Sequence, residues 1–144
     1  MTDRFVVAYD GSGPAGRALA HAMKQAQDSG AGIVLAHVLE WSPYSFLTAE
    51  ELAERHKRRN AELERARSAV VTPALKLLGD SGIPVETDIR YGHVAETLVT
   101  IAEETRATQI VIGRTGQSTM VSRLFGSVAG TLAQIAPVPV TIVP

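Results

Sequence analysis

Residues 109–132, QIVIGRTGQSTMVSRLFGSVAGTL, carry the pattern that decides the fold. They open with Ile110, Val111 and Ile112, a short apolar run typical of a strand buried on both faces of a parallel sheet. Glycines follow this run, and a Gly-Ser pair precedes a helical pattern, with the spacing G-x2-G-x9-G-S. Glycines let a backbone approach a ligand closely, and free N–H groups at a helix N-terminus favour an anion.

The spacing predicts a phosphate site formed by Gly113, Gly116, Gly126 and Ser127, with Ser127 as the predicted N-cap of the last helix. For each glycine alone, turn chemistry is the better explanation, and a Gly-Ser pair before a helix is often only a cap. The set in register after a buried strand favours the phosphate interpretation. The stretch has no Gly-Lys-Ser/Thr and is therefore not a Walker loop. A dinucleotide fingerprint follows the first strand, whereas this stretch lies near the end of the chain, so it is not that fingerprint either.

This constellation resembles the ATP-binding branch of the universal stress protein family, which carries G-x2-G-x9-G-S/T at the end of its fourth strand. The segments FVVAYDGS, IVLAHVLE and APVPVTIVP are also similar to that family, so the resemblance spans the chain. It implies a single domain over residues 1–144. The implied fold is an α/β five-stranded parallel sheet in the order 3-2-1-4-5, with helices on both faces, of the adenine nucleotide alpha hydrolase-like type.

The alternation of strand and helix patterns independently predicts a parallel, doubly wound sheet. Apolar runs predict strands at residues 5–9, 33–39, 84–90, 110–112 and 138–143, and periodic patterns predict helices at 14–29, 48–79, 93–106 and 128–135. Tyr91 and Gly92 are predicted to form a turn. Ser12 or Gly13 is predicted to cap the first helix, with Pro14 in its first turn.

The long helical pattern from Thr48 to about Gly79 begins with a capping box formed by Thr48 and Glu51. Pro73 is predicted either to kink this helix or to start a second piece capped by Thr72. The predicted inward stripe comprises Leu52, His56, Leu63, Ala66, Val70, Ala74 and Leu77.

Asp10 stands where the first strand ends, a position that faces the ligand crevice of an open α/β sheet. The same residue would also suit an Asx-turn, and its position leaves both readings open. The resemblance favours the crevice, because the matching Asp of the family lies there. His37, alone in an apolar strand without a second ligand at metal-binding spacing, is predicted to be structural.

The resemblance implies ATP as the ligand, with Mg²⁺ accompanying the nucleotide and Asp10 at the ribose or the metal. It implies phosphate contacts from Gly116, Gly126, Ser127 and Val128, and adenine or ribose contacts from Ala8, Val38 and Ile112. The loop residues Arg114 and Thr115 belong to the same set. The family usually has Ser or Asn followed by His or Arg at these two positions. Because Arg114 and Thr115 differ from that pattern, we expect their backbone amides, and not their side chains, to contact the nucleotide. Arg123 would add positive charge to the phosphate side.

Three functions compete. The first is an ATP-binding regulatory protein. The second is an enzyme on a related fold, either an ATPase or a nucleotidyl transferase. No general base stands near the glycines and the Walker lysine is missing, which predicts slow hydrolysis at most. The third is a phosphoacceptor domain, which would need an acidic pair for Mg²⁺ and an Asp at the end of the third strand. Asp10 stands alone, and Asp88 lies within that strand.

Composition restricts the class of protein further. A length of 144 residues with 45% apolar residues fits one domain with its own core. The net charge of −1 gives no basis for nucleic-acid binding, and flanking glutamates make the basic run at residues 56–59 a solvated helix face. Cysteine is absent, which excludes disulfides and thiol chemistry. We expect a cytoplasmic protein without leader or membrane span.

The final strand, from Val138 to Val143, contains prolines that cannot donate to a ladder, so it is predicted at a sheet edge. A bare apolar edge invites aggregation, and members of the resembled family commonly pair this strand across a two-fold axis. We therefore expect a homodimer through residues 138–143.

Overall fold

The computed structural model describes residues 3–40, 48–115 and 127–144, except the side chains of Leu52 and Ser127. The strands are β1 Arg4–Ala8, β2 Gly32–Glu40, β3 Val85–Gly92, β4 Gln109–Gly113 and β5 Val140–Val143. The helices are α1 Gly13–Ser29, α2 Ala49–Ala66, α3 Thr72–Leu78, α4 Val94–Thr105 and α5 Ser127–Ile135, with a π-helical segment, Arg67–Val71, between α2 and α3. The strands form one parallel sheet in the order β3-β2-β1-β4-β5, which confirms the predicted fold class and order.

Helices cover both faces of the sheet. On one face, here called the α1 face, α1 and α3 pack with the π-helical segment over Val7, Leu35 and Val111. On the other, here called the α4 face, α4 and α5 pack over Val6 and Ile110. The side chains of both Val6 and Val7 are fully buried, as the apolar run in β1 predicts for a central strand.

The first helix has the ends that its sequence predicts. The Ser12 hydroxyl accepts a hydrogen bond from the Ala15 amide at 3.2 Å, so Ser12 is the N-cap. Pro14 lies in the first turn, where its missing N–H costs nothing. Gly30 ends the helix in the left-handed conformation, with φ of 77°, and its amide donates to the Ala26 carbonyl.

The long helical segment is interrupted where Pro73 removes a backbone donor. The capping box of Thr48 and Glu51 is present. Thr72 does not cap α3, contrary to the prediction: its hydroxyl donates back to the Arg67 carbonyl at 2.8 Å.

The widened π turn also changes which residues face the sheet beyond it. Ala66 and Ala74 are buried as predicted, but Leu77 is 65% exposed and His56 is exposed. Val71 and Leu78 take the inward positions that Val70 and Leu77 were expected to hold. The inward face therefore keeps Ala74 but has Val71 and Leu78 in place of Val70 and Leu77, and the wider i→i+5 turn at Arg67–Val71 lies where the two patterns diverge.

Two predicted strand ends are wrong by two residues, and the others differ by one residue or none. Tyr91 and Gly92 do not turn the chain; they continue β3, paired with Leu39 and Glu40, because β2 is long enough to accept them. The last strand begins at Val140 and not at Val138, because the flanking prolines at 137 and 139 have no N–H to donate. Within the three described stretches, no helix combines the length and the apolar character that a membrane crossing requires.

Candidate functional site

The strand order reverses at β1, which lies between β2 and β4. In open α/β sheets such a reversal leaves a crevice beyond the carboxyl ends of the strands. β1 ends at Ala8 and β4 ends at Gly113, so the turn through Asp10 and the loop after Gly113 border the same crevice. The fold thus brings together two motifs that lie about a hundred residues apart in the sequence.

Gly113 is in close contact with the first turn of α1. A Cβ added to Gly113 would lie 2.8 Å from both the carbonyl carbon and the Cβ of Pro14, closer than real side chains approach. The absence of a side chain therefore lets α1 begin directly against the end of β4. The sequence pattern assigns Gly113 to a ligand and misses this packing role, because the contact with Pro14 in the first turn of α1 exists only once β4 and α1 have packed.

Asp10 forms the Asx-turn that the sequence left open as one of two readings. Its Oδ1 accepts a hydrogen bond from the Ser12 amide at 2.9 Å, and Gly11 supports the turn with φ of 80°. A carboxylate has several acceptor sites, so this bond is compatible with a second role at the crevice. The turn fixes the Asp10 carboxylate relative to the N-cap of α1.

The apolar candidate residues meet on one face of the sheet. Ala8, Val38, Ile112 and Val128 all pack with the core of the α4 face, from four different elements. Ile112 is buried, and the other three are half-buried. The first turn of α5, which contains Val128, therefore lies over the same side of the sheet as the ends of β1, β2 and β4.

The loop after β4 is described only at its beginning. The Arg114 amide donates to the Val143 carbonyl at 2.7 Å, so this N–H is engaged by β5 and does not belong to an amide cradle for a phosphate. The side chains of Arg114 and Thr115 are exposed. Gly116, Arg123 and Gly126 lie outside the described residues. Ser127 is described only as the first residue of α5.

His37 has the structural role that the sequence predicted, with a specific partner that the sequence did not indicate. It is 8% exposed, and its Nδ1 lies 2.7 Å from the Tyr9 carbonyl oxygen, immediately before Asp10. Periodicity cannot find such a bond, because it joins residues that are adjacent only after β1 and β2 have paired.

The side chains with shifted pKa values lie at the β3 edge of the sheet, away from the crevice beside β1 and β4. Arg90 of β3 donates to Asp88 at 2.6 Å and to Glu104 of α4 at 2.5 Å, which raises the pKa of Arg90 and lowers that of Glu104. Partial burial, with the hydrogen bond to Glu62, raises the pKa of Tyr91 to about 12. These groups hold α2 and α4 against β3 and are not part of the crevice.

Among the residues that the structure describes, Asp10 is not part of a metal-binding cluster. Over residues 3–40, 48–115 and 127–144, His, Asp and Glu form no group of three that could hold an ion.

The chain belongs to the universal stress protein family, whose family model matches residues 1–144. A universal stress protein of Thermus aquaticus is 31% identical over 144 residues, which cover 99% of this chain and 99% of the relative. The solved structure of the universal stress protein UspA from Lactobacillus plantarum has the same fold, with a TM-score of 0.85 at 23% identity over 99% of this chain and 97% of that one. A universal stress protein solved in complex with cAMP has a TM-score of 0.67 at 26% identity, and the match covers 99% of this chain and 97% of the other.

Proposed function

We propose that this protein is a regulatory nucleotide-binding protein of the cytoplasm that binds ATP, with its Mg²⁺, in the crevice at β1 and β4. The observation that carries the proposal is the packing of Ala8, Ile112 and Val128, from the ends of β1 and β4 and the first turn of α5, on one face of the sheet where the strand order reverses. The family member that was solved with cAMP supports an adenine nucleotide as the ligand.

The residues present fit the parts of such a ligand. Ala8, Val38 and Ile112 offer apolar surface to a base. The N-terminus of α5 suits a phosphate because its first N–H groups have no partner within the helix. The Asp10 carboxylate suits a ribose hydroxyl, or Mg²⁺ carried by the phosphates. ATP hydrolysis, if any, is expected to be slow, since the sequence supplies no general base beside the glycines.

Titration calorimetry with ATP, AMP and cAMP, each with and without Mg²⁺, tests the proposal. We expect ATP with Mg²⁺ to bind more tightly than AMP, because the glycine-rich loop would serve the terminal phosphates. Equal affinity for ATP and AMP would contradict a role of the loop in phosphate binding. No heat with any of the three nucleotides would remove the proposed function altogether.

A single substitution in the glycine motif makes the test specific. Gly126→Val should abolish the rise in melting temperature that ATP causes in the wild type, because a β-branched side chain would occupy the space of the phosphates or resist a positive φ. The variant itself should lose about 1–3 kcal/mol of stability at most. A full ATP-dependent shift in the variant would mean that Gly126 is only a turn residue.

The proposal includes a symmetric homodimer that forms through β5. This strand is the edge of the sheet beyond β4, and its residues Val140 to Val143 are half-buried and uncharged. Ile135, at the end of α5, is 45% exposed. An edge of this kind is suited to pairing with a second copy of itself across a two-fold axis.

A further inference from the structure

The ladder of hydrogen bonds between β1 and β2 stops at a point where one more backbone bond could form. Its last pair is Ala8 with Ala36, and the Tyr9 amide donates to the Ala36 carbonyl at 2.8 Å. The next bond in a parallel ladder would run from the Val38 amide to the Tyr9 carbonyl. Among the described residues, that oxygen accepts instead from the ring of His37, whose Nδ1 is 2.7 Å away.

The His37 ring therefore has one defined tautomer and one defined orientation. A carbonyl oxygen can only accept, so Nδ1 carries the proton in this bond. The residue is 8% exposed and lies in β2, between β1 and β3, where Ile89 is its partner in the register. Burial and the hydrogen bond together hold the ring against the Tyr9 carbonyl, one residue before Asp10.

This bond has a consequence for Val38. Along a strand, the N–H and C=O of one residue point to the same neighbouring strand, and those of the next residue point to the opposite one. The Ala36 carbonyl points to β1, so the N–H and C=O of Val38 also point to that side, where the ladder has already ended. A donor and an acceptor thus face the crevice side by side, which is the complement of the hydrogen-bonding edge of a purine base.

We propose that His37 is a positioning residue of the nucleotide site. Its ring donates to the Tyr9 carbonyl, so the Val38 amide cannot donate to that oxygen, and the N–H and C=O of Val38 stay available to hydrogen-bond the base. The proposal rests on the nucleotide binding proposed above. It also explains why a buried, polar ring stands in an otherwise apolar strand, since a side chain without a donor would leave the Tyr9 carbonyl to the Val38 amide.

Two substitutions at His37 separate this role from simple packing. His37→Asn keeps an N–H close to the position of Nδ1, whereas His37→Leu fills the space without any donor. Amide hydrogen exchange, measured by NMR at Val38, and ATP affinity, measured by calorimetry, are the readouts. In the wild type and in His37→Asn, the Val38 amide should exchange rapidly without nucleotide and become protected when ATP binds.

In His37→Leu, the Val38 amide should exchange several-fold more slowly without nucleotide, because it now donates to Tyr9. ATP affinity should fall about tenfold if the open arrangement drops to about a tenth of the population. Should His37→Leu fail to fold, His37→Gln serves the same comparison, since its amide is displaced from the position of Nδ1. Ile89→Ala is the matched control: it removes packing beside His37, and should lower the melting temperature without changing Val38 exchange or ATP affinity.

The outcomes are distinct. Unchanged Val38 exchange and unchanged ATP affinity in His37→Leu would overturn the proposal, as would equal losses of affinity in His37→Leu and Ile89→Ala. If the wild type binds no nucleotide, the proposed function fails. The exchange of Val38 in His37→Leu and His37→Asn then still decides whether the ring ends the ladder.

Discussion

The contact between Gly113 and Pro14 makes a single methyl group costly at the end of β4. An alanine Cβ there would lie 2.8–2.9 Å from backbone atoms of Pro14, and backbone cannot move aside as a flexible side chain can. Gly113→Ala should therefore lower the free energy of unfolding by about 1–3 kcal/mol, the usual cost of overpacking. Urea denaturation of the wild type and the variant measures this difference.

Gly16 is the matched control for Gly113. It lies inside α1, and a Cβ added there would meet nothing within 4 Å. Gly16→Ala should raise the free energy of unfolding by about 0.5–1 kcal/mol, because alanine loses less backbone entropy in a helix. A Gly113→Ala variant as stable as the wild type would show that α1 moves away from β4 at little cost, and would return Gly113 to a purely ligand-related role.

Residues of the candidate site were predictable to the extent that strand ends and glycine spacing are local signals. Ala8, Val38 and Ile112 come from three separate apolar runs, and the fold gathers them on the α4 face. The engagement of the Arg114 amide by Val143 was not predictable, because it depends on the pairing of β4 with a strand that follows much later in the chain. The same holds for the ring of His37 and the Tyr9 carbonyl.

At the scale of the elements, β3 and α4 are joined by the ion pair of Arg90 and Glu104, here called the clamp. The Glu104 carboxyl in this pair can be titrated. Arg90 donates to Glu104 at 2.5 Å, and this hydrogen bond lowers the pKa of the Glu104 carboxyl. As pH falls, the unfolded chain takes up this proton first. The contribution of Glu104 to stability is therefore present above its ordinary pKa of about 4.3 and is lost as pH falls through the lowered pKa.

Arg90→Met should return the pKa of Glu104 towards its ordinary value, which NMR of the side-chain carboxyl carbon measures directly. Arg4→Met is the control. It removes an exposed ion pair between Arg4 of β1 and Glu86 of β3, whose charged atoms are 3.0 Å apart, and it leaves the pair of Arg90 and Glu104 in place. A Glu104 carboxyl that titrates identically in the wild type and in Arg90→Met would show that the clamp is not formed in solution.

The elements themselves were largely predictable, since buried strands and amphipathic helices carry strong periodic signals. The exceptions have physical causes. The inward face departs from the predicted stripe at the π-helical segment before Pro73, where Val71 is buried in place of Val70, and again at Leu78, which is buried where Leu77 was expected. Tyr91 and Gly92 look like a turn in isolation, but β2 extends far enough to pair with both. Neighbouring strands thus decide where a strand ends, and no local window contains them.

Across the whole molecule, the two edges of the sheet differ in how they are protected against pairing. β3 carries Glu86, Asp88 and Arg90, all of them in ion pairs with side-chain groups of the same chain. Charged residues of this kind discourage edge-to-edge association. β5, with the sequence VTIV, has no charge along its length. If one edge pairs with a second copy, the physical argument therefore favours β5.

Proline substitutions at matched edge positions test this dimer without disturbing the monomer's own ladder. The carbonyls of Pro139 and Val143 accept from β4, so by alternation the Val140 N–H points away from the sheet. On β3, the Pro84 carbonyl accepts from Ile33, so the Thr87 N–H likewise points outward. Val140→Pro should remove a hydrogen bond of the β5–β5 pairing and shift the protein towards monomer, whereas Thr87→Pro should leave its mass unchanged. Light scattering over a concentration series measures both. A wild type that is monomeric at high concentration, or a Val140→Pro variant as dimeric as Thr87→Pro, would contradict pairing through β5.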